Sequence, residues 1–165
     1  MAAVICNASP LIILARADLL DLLPQQFSAL SVPRAVVEEI VAGPADDPMK
    51  MQVHGLPWLQ VVTLDPKLSP LAYWQLGRGE SEVIEYARLH PPTVALLDGL
   101  RARLVALSLG VPVIGTLGLV ARASQQAGVS FFDEAVERLR NAGLYLDESL
   151  LAVVREALHR RNGTS

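Results

Sequence analysis

The chain has 165 residues, which is the length of a single domain. Hydrophobic residues make up 52% of it and charged residues 19%, so it can bury a sizeable core, and global disorder is excluded. The formal charge of −3 argues against a broadly basic surface that coats nucleic acid, although a local basic strip fits an acidic protein. The single cysteine, Cys6, excludes an internal disulfide and favours a reducing cytoplasm.

The first 20 residues are apolar enough to be tested as an export signal or a membrane span. Polar and charged residues, among them Asn7, Arg16 and Asp18, interrupt the apolar run before it reaches the roughly 20 residues that a membrane helix needs. The segment also lacks a basic region at its start. We therefore predict that it belongs to the core and that the protein has no membrane association.

Short apolar runs predict buried strands at residues 3–6, 60–64, 94–97 and 111–114, each ending near Asn, Asp, Pro or Gly. The stretches between these runs have helical spacing. Because strands alternate with helices, the pattern predicts an α/β fold whose parallel sheet is covered on both faces.

Capping residues indicate where helices begin. Ser9 can cap a helix whose first residue is Pro10, and Thr116 can cap a later helix in the same way. Pro33 opens a helix that closes at Gly43.

Two further segments complete the organisation of the chain. Residues 43–57 are the one long irregular connection in the prediction and a candidate mobile flap over a site. Residues 131–161 are predicted to form two amphipathic helices broken at residues 141–143, which complete the core or provide a surface for a partner. We predict one domain over residues 1–165, with its core at about 3–128.

Polar residues follow two of the predicted strands at the point where ligands bind in an open parallel sheet. Asn7 comes directly after the first strand, and Asp98 follows VALL in TVALLDG. Ligands bind outside the carboxyl ends of such strands, where the strand order reverses. A turn former or a helix cap is the alternative interpretation of each residue.

Glu80 lies on the inward stripe of a predicted helix in LGRGESEVIEYARLH. It precedes the buried positions Val83 and Ile84 by three and four residues, whereas Glu82 and Glu85 fall on other faces and are predicted to be solvated. An inward carboxylate is costly unless a positive group meets it. That group is the helix N-terminus, an arginine or a metal ion.

The helix in PRAVVEEIVAG carries two candidate carboxylates. At about 100° per residue, Glu38 and Glu39 flank its apolar arc almost symmetrically, so periodicity does not choose between them. Both are surface charges in the alternative interpretation.

Asn7, one of Glu38 and Glu39, Glu80 and Asp98 together offer oxygen ligands without a histidine or cysteine set. Such ligands suit Mg²⁺ or Mn²⁺ rather than zinc, and these ions bind phosphate oxygens and keep several waters. An ion held in this way activates water and neutralises charge on a phosphate. Phosphodiester hydrolysis is therefore the reaction class that the residues favour.

Four stretches of the chain, taken in order, resemble PIN domains (PilT N-terminus). They are VICNASPLIILARADLLDLL, VPRAVVEEI, GRGESEVIEYA and ALLDGLRARLVALSLGVPVIGTLGLV. The resemblance runs from about Val4 to Gly128. It is greatest to the bacterial subgroup near the VapC-type toxins, which begins with Asn or Asp followed by x-S-P-L and carries an LLDDxxAR-type motif.

This resemblance implies a flavodoxin-like α/β/α sandwich of three layers, with an acidic cluster that binds Mg²⁺ or Mn²⁺ and cuts single-stranded RNA. The four acidic positions of the family fall on Asn7, Glu39, Glu80 and Asp98 as metal ligands, of which the three carboxylates would be catalytic. The resemblance thus selects Glu39 over Glu38.

Three further residues match positions of the family's site. Ser9 and Thr116 match polar positions that line such sites, although helix capping explains both without a ligand. Arg103 matches the arginine of the LLDDxxAR motif, where it would pair with an acidic residue or contact phosphate.

The chain departs from the family pattern at two positions. Asn7 stands where active PIN nucleases usually have Asp, and Gly99 replaces the second Asp of LLDD, so two negative charges are missing. An amide oxygen still ligates a cation, and Glu39, Glu80 and Asp98 keep a charge of −3.

Two functions follow from these observations. The first is a metal-dependent ribonuclease, the toxin of a toxin–antitoxin pair, with Arg101, Arg103 and Arg122 as candidates for steering the RNA backbone. The second is an inactive PIN-like interaction module. We expect RNA and a small antitoxin protein as partners, a homodimer and a cytoplasmic location. A nucleotide-binding domain is disfavoured because neither GxGxxG nor GxxxxGK[ST] occurs.

Overall fold

The computed structural model describes residues 1–65 and 75–163 of the chain. Within these ranges one sheet contains five strands that pair in parallel throughout, in the order β3-β2-β1-β4-β5. The strands are β1 (Ala3–Cys6), β2 (Ala29–Pro33), β3 (Leu59–Val62), β4 (Val94–Leu96) and β5 (Val113–Ile114). The predicted domain, residues 1–165, also contains residues 66–74 and 164–165, which lie outside the described residues.

Helices cover both faces of the sheet. In the described ranges they are α1 (Ala8–Arg16), α2 (Leu22–Gln26), α3 (Arg34–Ala42), α4 (Pro48–Gln52), α5 (Arg78–Leu89), α6 (Leu100–Ser108), α7 (Thr116–Ala127), α8 (Val129–Asn141) and α9 (Glu148–Asn162). Crossover connections between parallel strands are right-handed, and this rule places α5 and α6 on the same face of the sheet. The contacts agree, since α5 packs on α6, β1 and β4, whereas α1 packs on α4 and α8. The fold is therefore the predicted three-layer α/β/α sandwich.

The central strand, β1, is the most deeply buried part of the sheet. Val4 is 1% exposed and Ile5 and Cys6 are fully buried, because β2 and β4 cover both edges of the strand and helices cover both faces. This burial raises the pKa of the Cys6 thiol from 9.0 to about 12, since the thiolate loses its hydration there.

The predicted strands at residues 3–6, 60–64, 94–97 and 111–114 correspond to β1, β3, β4 and β5, although the last is shorter than predicted. The sequence prediction omitted β2, whose segment ALSVP has a polar residue at its centre and a proline at its end. Ser31 is nevertheless buried between β1 and β3, because neighbouring strands pair on both sides of β2. The predicted helix opening at Pro33 is present as α3, with Pro33 as its N-cap.

The prediction that residues 43–57 form an irregular connection is wrong. The segment contains α4, whose N-cap Asp47 accepts a hydrogen bond from the Met49 backbone N–H at 2.9 Å. Asp47 is 4% exposed and also accepts a hydrogen bond from the Arg16 guanidinium at 2.7 Å. Met49 and Val53 join the core. These contacts fasten the segment to α1.

The C-terminal helices α8 and α9 complete the core, as one of the two alternatives predicted. Phe132 and Leu139 of α8 and Leu151 and Leu158 of α9 are almost fully buried. The break between the helices covers residues 142–147 and is longer than predicted. None of the helices described is both long and apolar enough to cross a lipid bilayer.

Candidate functional site

The strand order reverses between β1 and β4. From β1 the chain proceeds through β2 and β3 on one side, and then crosses to β4 and β5 on the other. The carboxyl ends of β1 and β4 are in register, with Cys6 beside Leu96, and the Asn7 backbone N–H donates to the Leu96 carbonyl at 3.2 Å. Asn7 and Asp98 therefore both follow strands that flank the topological switch point of the sheet.

Asn7 is the N-cap residue of α1 by its backbone conformation, but its side chain does not cap the helix. The residue is 6% exposed, and its Oδ1 atom is buried without a hydrogen-bond partner. A buried carbonyl oxygen that receives no hydrogen bond costs free energy of about 1–3 kcal/mol. The helix-cap interpretation therefore does not account for the Asn7 side chain, whose oxygen is available to a cation or another donor.

Asp98 is fixed by two hydrogen bonds from one residue. The Thr116 backbone N–H donates to Asp98 Oδ1 at 2.7 Å, and the Thr116 hydroxyl donates to Oδ2 at 2.6 Å. Thr116 is fully buried and is the first residue of α7, with Gly115 as the N-cap, so the predicted capping role of its side chain is wrong. The hydroxyl instead orients a carboxylate of the neighbouring strand end.

The structure separates the two glutamates of α3. A Cβ atom added at Gly79 would lie 3.0 Å from Glu39 Oε2 and 3.4 Å from Asn7 Oδ1, so both oxygens border the start of α5. Glu38 instead has Oε2 at 3.4 Å from the Arg78 guanidinium. The orientation of α3 against α5 thus brings Glu39, and not Glu38, beside Asn7.

Glu80 lies in the first turn of α5 and faces the segment that follows β4. Its Oε1 atom would be 3.1 Å from a Cβ added at Gly99, the residue next to Asp98. Glu82, on the same helix, pairs with Arg78 at 3.4 Å and its side chain is only 15% exposed, so the prediction that it is solvated is wrong. The prediction that Glu85 is solvated is wrong, because its side chain is 1% exposed and is neutralised by Arg88 on the same helix.

Arg103 extends from α6 to the side of Asp98 that faces β5. A Cβ at Gly115 would lie 3.0 Å from Arg103 Nη1 and 3.2 Å from Asp98 Oδ1, so these two groups approach the same point and a side chain there would crowd them. Of the other predicted steering residues, Arg101 is exposed on α6 beside Gln75. Arg122 lies 5.1 Å from the ring centre of Phe27, in a pocket with the N-terminal Met1, and so is turned away from the site.

The prediction that Ser9 caps α1 is wrong. The helix begins at Ala8, so Ser9 and Pro10 lie in its first turn, and Ser9 is exposed. Proline is tolerated there because the first four N–H groups of a helix have no partner within the helix. A role for Ser9 in lining the site stays a prediction.

Gly79 and Gly115 are the site residues that sequence reasoning missed. Both permit the approach of oxygen atoms that a Cβ would crowd. A signal was present, since each glycine directly precedes a candidate site residue, Glu80 in GRGE and Thr116 in IGT. Without the packing of α3 and α6, however, nothing in the sequence distinguishes them from helix-starting glycines.

The charges at this edge of the sheet are incompletely balanced. Neither Glu39 nor Glu80 forms a hydrogen bond or an ion pair within residues 1–65 and 75–163. Over the same ranges, no three acidic, histidine or cysteine side chains lie close enough together to hold an ion by themselves. Mg²⁺ is usually bound by one or two carboxylates and keeps several waters. The buried amide oxygen of Asn7, which borders the same point as the Glu39 carboxylate, therefore fits a partly hydrated ion.

A family model described as a PIN domain matches residues 3–160. The match covers the sheet, all of the site residues above and most of α9, and so extends beyond the resemblance that ends at Gly128. No curated protein and no solved structure shows a significant match to the chain.

Proposed function

Because the chain belongs to the PIN domain family, we propose that it is a metal-dependent ribonuclease that hydrolyses RNA phosphodiester bonds at the carboxyl edge of its sheet. The observation that carries the proposal is the orphaned Asn7 Oδ1 atom, which borders the same point as Glu39 Oε2 beside Gly79. A buried acceptor without a donor costs free energy, and a bound cation would satisfy it.

Asn7 and one or two of the carboxylates Glu39, Glu80 and Asp98 would hold the ion directly, and waters on the ion would link it to the remaining carboxylate oxygens. An Mg²⁺ or Mn²⁺ ion bound there would activate water and neutralise charge on the phosphate. The chain's own groups do the remaining work. Thr116 holds the Asp98 carboxylate in one orientation, which lowers the reorganisation needed during reaction. Arg103, next to Asp98, would contact a phosphate oxygen.

The biological setting that we propose is that of a toxin. In this setting the chain works in the cytoplasm as a homodimer, is inhibited by a small antitoxin protein and belongs to a VapC-like subgroup. The N-x-S-P-L start and the arginine at position 103 support this part of the proposal.

The glutamate pair of α3 provides the sharpest test of the site. We expect Glu39→Gln to lower RNA cleavage in Mn²⁺ by about 100-fold or more, since it removes a charge that binds the ion. Glu38→Gln is the matched control, because it changes the neighbouring residue, which pairs with Arg78 instead. Cleavage is measured with a labelled unstructured RNA at several Mn²⁺ concentrations.

We expect the Asp98→Asn variant to lose RNA cleavage to the same degree as Glu39→Gln. Its amide keeps an oxygen that accepts the hydrogen bond from the Thr116 N–H. Equal cleavage by the wild type, Glu39→Gln and Asp98→Asn would end the assignment of the site. A loss in Glu38→Gln that matches the loss in Glu39→Gln would show that general surface charge, and not this site, is responsible.

An inactive interaction module is the second candidate, favoured by two observations. Asn7 and Gly99 remove two charges from the family's acidic cluster. In addition, α6 exposes a stripe of leucines at helical spacing, Leu100, Leu104 and Leu107, which are 73%, 59% and 58% exposed. Exposed apolar stripes of this kind are typical of protein contacts.

A further inference from the structure

A pocket of about 460 Å³ adjoins Asp98 on the β5 side of the site. Asp98 and Arg103 line this pocket together with Leu117 of α7 and Val154 of α9. Tyr145, in the loop between α8 and α9, also lines it and is 88% exposed. The pocket is therefore continuous with the site and mostly apolar, with an aromatic ring at its edge.

We propose that this pocket receives an unpaired nucleobase of the RNA, from a nucleotide next to the phosphate at Asp98 and Arg103. The inference rests on the proposed function and names the form of its substrate at that site. Bases stack on exposed aromatic rings in proteins that bind single strands, and the flat faces of bases are apolar. Tyr145 provides such a ring within the same pocket that contains the catalytic carboxylate.

The charges of the pocket favour a base over a phosphate. The carboxylates of Asp98 and Asp147 both line the pocket. A phosphate among its apolar residues would be repelled by both carboxylates, whereas Arg103, beside Asp98, attracts a phosphate to the site. The backbone phosphate therefore stays at the site, and the uncharged base extends toward Tyr145.

Both carboxylates of the pocket already accept hydrogen bonds from the protein. The Asp147 carboxylate caps α9, since it accepts hydrogen bonds from the Leu150 backbone N–H at 3.0 Å and from the Ser149 hydroxyl. These two bonds also lower the pKa of Asp147, the Ser149 bond most. Asp98 is likewise occupied by Thr116. Binding by stacking should therefore depend on the presence of a base more than on its identity.

The test uses a short, unstructured RNA in which one abasic residue replaces each nucleotide in turn. With the wild type, we expect an abasic residue at one position beside the cut to lower kcat/KM by about 10-fold or more. Exchange among the four bases at that position should change kcat/KM much less. Tyr145→Ala should lose this dependence, and Tyr145→Phe, which keeps the ring, should retain it. Met51→Ala is the control, since Met51 is also exposed, at 79%, but is not in the pocket.

Binding of the same RNAs to the Asp98→Asn protein, followed by fluorescence anisotropy, separates the pocket from the nuclease activity. If neither the wild type nor any variant cleaves RNA, but an abasic residue weakens RNA binding only while Tyr145 is present, the pocket proposal is supported and the nuclease proposal fails. If the wild type cleaves but Tyr145→Ala shows the same abasic effect, the pocket proposal fails and the nuclease stands. A change of oligomeric state in Tyr145→Ala, with an unaltered abasic effect, would mean that a protein chain fills the pocket.

Discussion

Asn7 and Asp98 follow neighbouring strands of the sheet but are held in different ways. Both oxygens of Asp98 accept hydrogen bonds from Thr116, whereas the buried oxygen of Asn7 accepts none. One side chain is thus rigidly oriented, and the other keeps an unused acceptor. A ligand site uses both features, a carboxylate held in one orientation and an oxygen that is free to bind.

Restoring the two missing charges tests how the natural residues limit the site. We expect the double variant Asn7→Asp with Gly99→Asp to bind Mn²⁺ at least about 10-fold more tightly, because a unit charge about 4 Å away contributes up to about 4 kcal/mol at an effective dielectric constant of 20. A Cβ at position 99 would lie 3.1 Å from the flexible end of Glu80, which can move. Calorimetric titration with Mn²⁺ measures the affinity of the double variant and of the wild type. Cleavage of the same RNA by the two proteins is then compared. Cleavage by the double variant alone would identify the natural chain as an interaction module.

The sequence located candidate residues better than it assigned their roles. Periodicity left Glu38 and Glu39 equivalent, because a helix viewed alone does not specify where its neighbour begins, and the start of α5 decides between them. Ser9 and Thr116 were expected as caps, yet the helices begin one or two residues away from the expected boundary. Shifts of this size are ordinary at helix ends and change the role of a capping residue entirely.

At the scale of elements, α4 shows how a polar segment becomes part of a packed domain. The segment after α3 is rich in Asp and Pro, which favours a loop, yet Asp47 caps α4 and pairs with Arg16 of α1. Met49 of α4 is fully buried in the core. Sequence reasoning missed both α4 and β2 because each depends on a partner distant in the chain.

Asp47→Ala should destabilise the protein by about 2–4 kcal/mol, because it removes a helix cap and a charge-assisted hydrogen bond to Arg16. Asp46→Ala is the matched control, since Asp46 is exposed and we expect a change within about 0.5 kcal/mol. Urea unfolding followed by circular dichroism measures both. Equal stability of the two variants would mean that α4 is not fastened through Asp47.

At the scale of the whole molecule, the order of the strands creates the site and the C-terminal helices enclose one side of it. The alternation of strands and helices sufficed to predict the parallel sheet, and the order of its strands indicates the edge at which we propose that ligands bind. It did not predict that α9 and the loop before it would form a wall of the pocket beside Asp98. That placement depends on the packing of α9 against α7 and α8.

The pKa of the Cys6 thiol differs between the folded and the unfolded chain, because the thiol is buried in the central strand of the sheet. Its pKa is raised from 9.0 to about 12 by burial, so the unfolded chain releases the proton at a lower pH than the folded chain does. The stability that the protonated thiol contributes is therefore present below pH 9.0 and is lost as pH rises toward 12.

Between pH 8 and pH 10 we expect the wild type to lose about 1.4 kcal/mol of unfolding free energy that Cys6→Ala does not lose. Urea unfolding of both proteins at the two pH values measures this difference. A thiol reagent at pH 8 should label Cys6 only after unfolding. Rapid labelling of the folded protein, or identical pH slopes for both proteins, would show that β1 is more open than the fold indicates.

The most direct measurement is a crystal structure of the wild type soaked in Mn²⁺, with the ion located from its anomalous signal. We expect one peak at the carboxyl edge of the sheet, bonded to Asn7 Oδ1 and to carboxylate oxygens from Glu39, Glu80 or Asp98. A well-ordered site with no peak there, or with a peak only elsewhere on the molecule, would contradict the proposed metal centre.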